Sequence, residues 1–235
     1  MSERLASFKG PSTPAPSPSK AKQVKIPRQP QSPARPTEST YHRKLRTLLQ
    51  ELRAVTENWD EIVLVDGLKA AKSLVDARTD LDNDLSTVPA GIQPKYRLVQ
   101  PKLDLMEARI AQLDIVIQNL KRQFNKMHLI IENIERLLYD AHKTRGWQFV
   151  LEPLWATWSL EKFATSIPTI LVPYHRSLEM HKDIVDTLRS HSVSFETSRE
   201  AVTNWVSQPQ LQEGSWDAHW EDLCDVEIER WNSAK

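Results

Sequence analysis

The stretch 103-LDLMEARIAQLDIVIQNLKRQFNKMHLIIENIERLL-138 decides the fold. Within it Leu103, Met106, Ile110, Leu113, Ile117, Leu120, Phe124, Met127, Ile131, Ile134 and Leu138 recur at alternating steps of three and four without exception. That spacing lines one side of a helix and no side of a strand. Five heptads without a breaker make one helix roughly 54 Å long at 1.5 Å per residue. Burying such side chains stabilises by roughly 1.5–3 kcal/mol each as an upper bound. One helix cannot cover its own stripe, so this one demands a partner. Met106, Phe124 and Met127 within the seam read as core fillers rather than as a ligand box.

Two partners fit. Upstream, Leu45, Leu48, Leu52, Val55, Trp59 and Ile62 form a similar stripe, which continues through Leu64, Leu68, Ala71 and Val75 with a kink allowed at Gly67. This helix, about 41–82, would fold back antiparallel through the break 82-DNDLSTVPAGIQP-94, where Pro89, Gly91 and Pro94 interrupt helix formation. The other partner is a helix of another chain, giving a homodimer or a heterodimer. The heptads alone do not choose.

After the long helix, about 97–142, Pro153, Pro168 and Pro173 read as joints. A shorter helix, about 173–191, starts at Pro173 with the stripe Tyr174, Leu178, His181, Val185 and Leu188. Another, about 197–207, starts at the Thr-x-x-Glu capping box 197-TSRE-200 and carries Val202, Trp205 and Val206. These elements make a helical domain over 41–211. The segment 212–235 holds seven acidic residues against Arg230 and Lys235, and places Trp216, Trp220 and Leu223 on one helical face. Such a segment reads equally as a docking helix and as a terminal helix packed on its own domain. Trp216, Trp220, Leu223 and Trp231 are its candidate partner-binding residues.

Residues 1–40 differ in kind. They carry eight of the fifteen prolines and a charge of +5, leaving −5 on the remainder of this electrically balanced chain. With so few apolar side chains, the entropy cost of ordering them is not offset, and a disordered basic tail is expected. Its cluster 20-KAKQVKIPR-28 fits a nuclear-import signal, a weak anionic contact or a plain basic linker. Ser17 and Ser32 stand in Ser-Pro-x-basic tetrapeptides and Thr13 in Thr-Pro, patterns that cyclin-dependent kinases prefer. A phosphate at each serine adds roughly −1.5 to −2 charge and would cancel most of the tail's excess.

The expected fold class is therefore all-α: an elongated helical bundle built on a long antiparallel helical hairpin or coiled coil, with a disordered basic proline-rich tail. Only five glycines in 235 residues agree with that and argue against phosphate-cradling loops. No apolar run reaches membrane-spanning length, and net charge gives no argument for sequence-specific nucleic-acid binding. The lone Cys224 fits a reducing compartment and, among carboxylates, makes a poor nucleophile. The run 80-DLDND-84 lacks the turn glycine and the distal glutamate of a calcium loop, and no two histidines stand at i, i+4. Catalytic, cofactor-binding and metal-binding residues are expected to be none.

The order 157-TWSLEKF-163, Tyr174 eleven residues after Phe163, 178-LEMHKDIVDTL-188 and 205-WVSQPQL-211 resembles the cyclin-dependent kinase 2-interacting protein family. Trp59 followed by 67-GLKAAKSL-74 is similar to that family's first helix, and 219-HWEDL-223 to its terminal piece. The signature residues are Trp59, Trp158, Phe163, Tyr174, Trp205, Gln208 and Pro209, and the likeness covers roughly residues 55–225. The tail and 226-VEIERW-231 depart from it. The resemblance implies a non-catalytic nuclear adaptor, with the cytoplasm as a second location. It implies a helical companion subunit, an AAA-type ATPase and a cyclin-dependent kinase as partners, in DNA replication, the checkpoint response or large-subunit ribosome maturation. The competing reading is an architectural coiled-coil subunit of a kinetochore, spindle or Mediator-type complex. Trp158, Phe163, Tyr174 and Trp205 are expected to pin the irregular parts onto the helices, since aromatic rings bury large areas at few joints.

Overall fold

Ser39 starts the helical unit. Its extended backbone and its Oγ, which accepts from the His42 amide at 3.4 Å, cap helix α1, Thr40–Glu61. In this computed structural model the residues described are 38–89, 91–190, 192–212, Trp220, Asp222, Leu223, Val226 and Glu227. The described residues are all-helical apart from turns and one isolated bridge.

Helix α1 continues without a break through a π-helical turn, Ile62–Gly67, into α2, Leu68–Ser86. A π turn takes more residues per turn than an α-helix and rotates everything after it. The expected stripe fails at Leu64, which is 42 % exposed while its neighbour Val63 is fully buried, and resumes with Leu68 half-buried and Ala71 and Val75 buried. Beyond the turn the buried face runs through Gly67, Ala70, Ala71, Leu74 and Ala77. Helix α2 also runs past residue 82 to Ser86, whose Oγ donates to the Asn83 carbonyl.

Helix α3, Tyr96–Arg145, is a single helix of 50 residues, roughly 75 Å long. It includes Pro101, close enough to the N-terminus that only one backbone bond is forgone. Gly146 ends it at φ 83°, a conformation that excludes side chains with a Cβ. Helices α1 and α2 both pack along α3. The Tyr41 hydroxyl meets Thr144, Arg109 Nε donates to Ser73 Oγ at 3.0 Å, and Lys102 Nζ meets Asp80 Oδ2 at 2.7 Å.

The heptad seam is buried at Met106, Ile110, Leu113, Leu120, Met127, Ile131 and Ile134, and half-buried at Leu103, Ile117, Phe124 and Leu138. Val116, Ile130, Leu137 and Ala141 are buried as well. The stripe is wider than a two-helix seam because later helices cover its other side. These follow the short α4, Trp147–Leu151, and the loop 152–159: α5 (Leu160–Ser166), a 3-10 turn (Ile167–Ile170) and α6 (Leu171–Arg189). Contrary to expectation, Pro173 does not begin α6. It is the third residue, and the chain before it is already helical in the 3-10 turn.

Helix α7, Phe195–Ser207, begins two residues before the expected capping box. The cap is Ser194, whose Oγ accepts from Thr197 N at 3.1 Å, so Thr197 lies inside the first turn. Gln208 then turns the chain at φ 40°, ψ 55°, and α8 (Pro209–Gln212) packs on α6. Arg78 of α2 is 4 % exposed and ties this end down, donating to Ser198 Oγ at 3.0 Å and the Leu188 carbonyl at 2.7 Å.

Candidate functional site

The π turn marks one junction. Trp205, fully buried, inserts its indole against Gly67: a Cβ at that glycine would stand 2.3 Å from Trp205 Cζ2. The indole Nε1 donates to the Val63 carbonyl at 3.0 Å, an oxygen that also accepts the Leu68 amide across the π turn. A six-residue π turn and a glycine thus open room for one side chain 138 residues further along the chain. The His181 ring meets Trp205 edge-on at 4.5 Å, and His181 Nδ1–H donates to the Ser177 carbonyl at 2.7 Å. Burial pushes the His181 pKa below its usual 6.5, with the Ser177 bond opposing.

Gln208 completes the junction. It is the one non-glycine among the described residues with positive φ, a backbone state that costs about 1–2 kcal/mol. Its side chain is held at both ends. Oε1 accepts from Trp59 Nε1 at 3.1 Å, and Nε2 donates to Asp60 Oδ1 at 3.1 Å. Trp59 in turn meets Tyr174 edge-on at 5.1 Å. Burial raises the Asp60 carboxyl above its usual range, and the Gln208 amide opposes this. A cleft of about 270 Å³ opens here, lined by Asp60, Leu64, Tyr174, Val206, Gln208 and Leu211. Three signature residues, Trp59, Tyr174 and Gln208, are thus brought into contact, with Trp205 seated on the adjoining π turn and Pro209 opening α8 after Gln208.

Trp158 and Phe163 belong to a second cluster, on the loop 152–159. An antiparallel bridge joins Pro153 to Ser159, and Leu154 N donates to the Trp158 carbonyl at 2.9 Å. Phe163, fully buried, takes Trp155 at 5.7 Å and Trp158 at 5.1 Å between ring centres. Lys162 Nζ sits 4.4 Å from the Trp158 ring centre. Trp147 lies outside this packing at 56 % exposed.

Both ends of the described chain meet this loop. Glu38 accepts from Trp155 Nε1 at 3.3 Å and from the Arg46 guanidinium, which lies over the Trp155 ring. His42 Nε2 bonds the Leu154 carbonyl at 2.9 Å, and burial lowers its pKa. On the other side Glu227, 1 % exposed, accepts from Ala156 N at 3.1 Å, Thr157 N at 3.0 Å and Thr157 Oγ1 at 2.7 Å. Trp220 and Leu223 are 6 % and 5 % exposed and join the core cluster. The acidic segment is therefore seated on its own chain at these residues, and partner binding through them would require its release. The sequence reading passed over Glu227. Its only signal was its place seven residues after Trp220, on the same helical face.

Thr13, Ser17, Ser32, Trp216, Trp231, Cys224 and the basic cluster 20–28 lie outside the described residues. Among the described residues no group of three or more His, Cys, Asp or Glu could hold a metal ion, and no helix is long and apolar enough to cross a membrane. Compared with known proteins, the chain matches no family model and no curated protein.

Proposed function

We propose that this chain is a non-catalytic adaptor that holds proteins together through its helices, as a divergent member of the cyclin-dependent kinase 2-interacting protein family. The observation that carries this reading is the convergence of Trp59, Tyr174, Trp205 and Gln208 on one π-turn junction. Residues matched by their order in the sequence share this junction, where the strained Gln208 is held by Trp59 and Asp60. In this reading α1, α2 and α3 act as an antiparallel hairpin of the coiled-coil kind. The hairpin presents a further face to a helical companion, where Ile115 and Leu129, two heptads apart on α3, are 56 % and 59 % exposed.

The companion pair docks on an AAA-type ATPase and meets cyclin-dependent kinase in the nucleus, where the tail serines Ser17 and Ser32 and Thr13 accept phosphate. Affinity purification of the tagged protein from its own cells, followed by mass spectrometry, tests the proposal. An AAA-type ATPase and a small helical protein at near-equal amounts are the expected result. Recovery of self-dimers or spindle components alone refutes it.

A further inference from the structure

We infer that the 153–159 loop is a carboxylate-recognition site for an acidic helix, which the chain fills with its own Glu227, on a segment whose Trp220 and Leu223 are buried as well, until a partner helix of the same pattern displaces it. The pattern is an aromatic residue, an aliphatic residue three positions on and a carboxylate four beyond that. The partner half of this inference rests on the adaptor reading; the half within the chain stands on geometry.

The loop offers a carboxylate a built receptor. Ala156 N, Thr157 N and Thr157 Oγ1 all point at the Glu227 carboxylate, at 3.1, 3.0 and 2.7 Å. Successive amides aimed at one point form an anion nest, which neutral side chains cannot satisfy as well. The nest is held by contacts that do not involve Glu227: the Pro153–Ser159 bridge, the Leu154–Trp158 backbone bond and the edge-on and tilted packing of Trp155 and Trp158 against Phe163. Glu38 and Arg46 brace Trp155 from another side. When Glu227 leaves, two amides and a hydroxyl stay in place and lose their partner, a cost that another carboxylate removes.

The occupant has the form of a ligand. Trp220, Leu223 and Glu227 lie at i, i+3 and i+7, on one face, and are buried. Asp222 and Val226 of the same segment face outward, Val226 at 40 % exposed. Buried side chains at that spacing are the pattern used in the helix-in-groove mode of peptide recognition. Lys162, over the Trp158 ring, supplies positive charge beside the loop for an acidic helix.

A labelled peptide of residues 213–235, titrated into the full chain, tests this. The chain carrying Leu223→Asp and Glu227→Ala should bind the peptide at least about tenfold more tightly than the unaltered chain, whose site is already filled. A peptide carrying Glu227→Gln should lose about tenfold or more, the size expected for a charge-assisted bond. Equal binding by the opened and unaltered chains, at equal helicity, overturns the inference. Hydrogen exchange on the unaltered chain covers the case in which the double variant does not fold. Excess peptide should speed exchange at residues 220–227 while 154–158 stay protected, and unchanged exchange at 220–227 overturns the inference. Neither measurement depends on which proteins the cell supplies, so failure here and failure of the adaptor reading are separate results.

Discussion

Replacing Gly67 with alanine sets two physical effects of opposite sign against each other. Gly67 has helical angles, φ −68° and ψ −46°, so on propensity alone alanine should stabilise by about 1 kcal/mol. Packing predicts the reverse. The new Cβ would lie 2.3 Å from Trp205 Cζ2, 2.9 Å from Cε2 and 3.0 Å from Nε1, so the indole must move by about an ångström or more. That displacement overpacks a full site, at about 1–3 kcal/mol, and pulls Nε1 off the Val63 carbonyl, at about 1–3 kcal/mol for a buried donor left unpaired. The net expectation is a loss of about 1–5 kcal/mol, or roughly 2–20 °C in Tm for a unit of this size. Urea unfolding followed by helical circular dichroism measures it. The double variant Gly67→Ala, Trp205→Phe should recover part of the loss, because the smaller ring has neither the clashing atoms nor the N–H. A stability gain in Gly67→Ala would refute the role given to the π turn.

Two further outcomes follow from the same junction. Gln208→Gly should destabilise less than Gln208→Ala by about 1 kcal/mol, since both lose the bonds to Trp59 and Asp60 but glycine relieves the positive φ; chemical unfolding of the pair checks this. Folded His181 binds its proton less tightly than the unfolded chain does, so stability is fully present above about pH 6.5 and is lost as pH falls toward the depressed folded value. His181→Leu should flatten that acid limb, with His42, depressed for the same reason, leaving a residual slope in the stability-against-pH curve.

The all-helical class was legible because it rests on period and on the scarcity of glycine, both local properties. The phase error at Leu64 was not, because the π turn answers to Trp205, and Gly67 marks an interruption without recording that an indole arrives there from α7. The heptad seam read too narrow for a related reason: Val116, Ile130 and Leu137 are buried by helices that the alternation of threes and fours does not anticipate. At Thr197 a valid capping pattern lost to Ser194 three residues earlier, since either hydroxyl can cap and only the helix phase decides. Glu227 was hidden most deeply. Two of its three donors are backbone amides of a loop about seventy residues away, and backbone groups leave no mark on composition.

The most direct test of the adaptor account is quantitative recovery of partners by the tagged protein carrying Ile115→Asp and Leu129→Asp, compared with the unaltered protein. Both positions are exposed, so substitution there should leave helicity and stability within about 0.5 kcal/mol. The account predicts that the helical companion is lost, and the AAA-type ATPase with it, from a chain that remains folded. Undiminished recovery of both, or no such partners even with the unaltered protein, would contradict it.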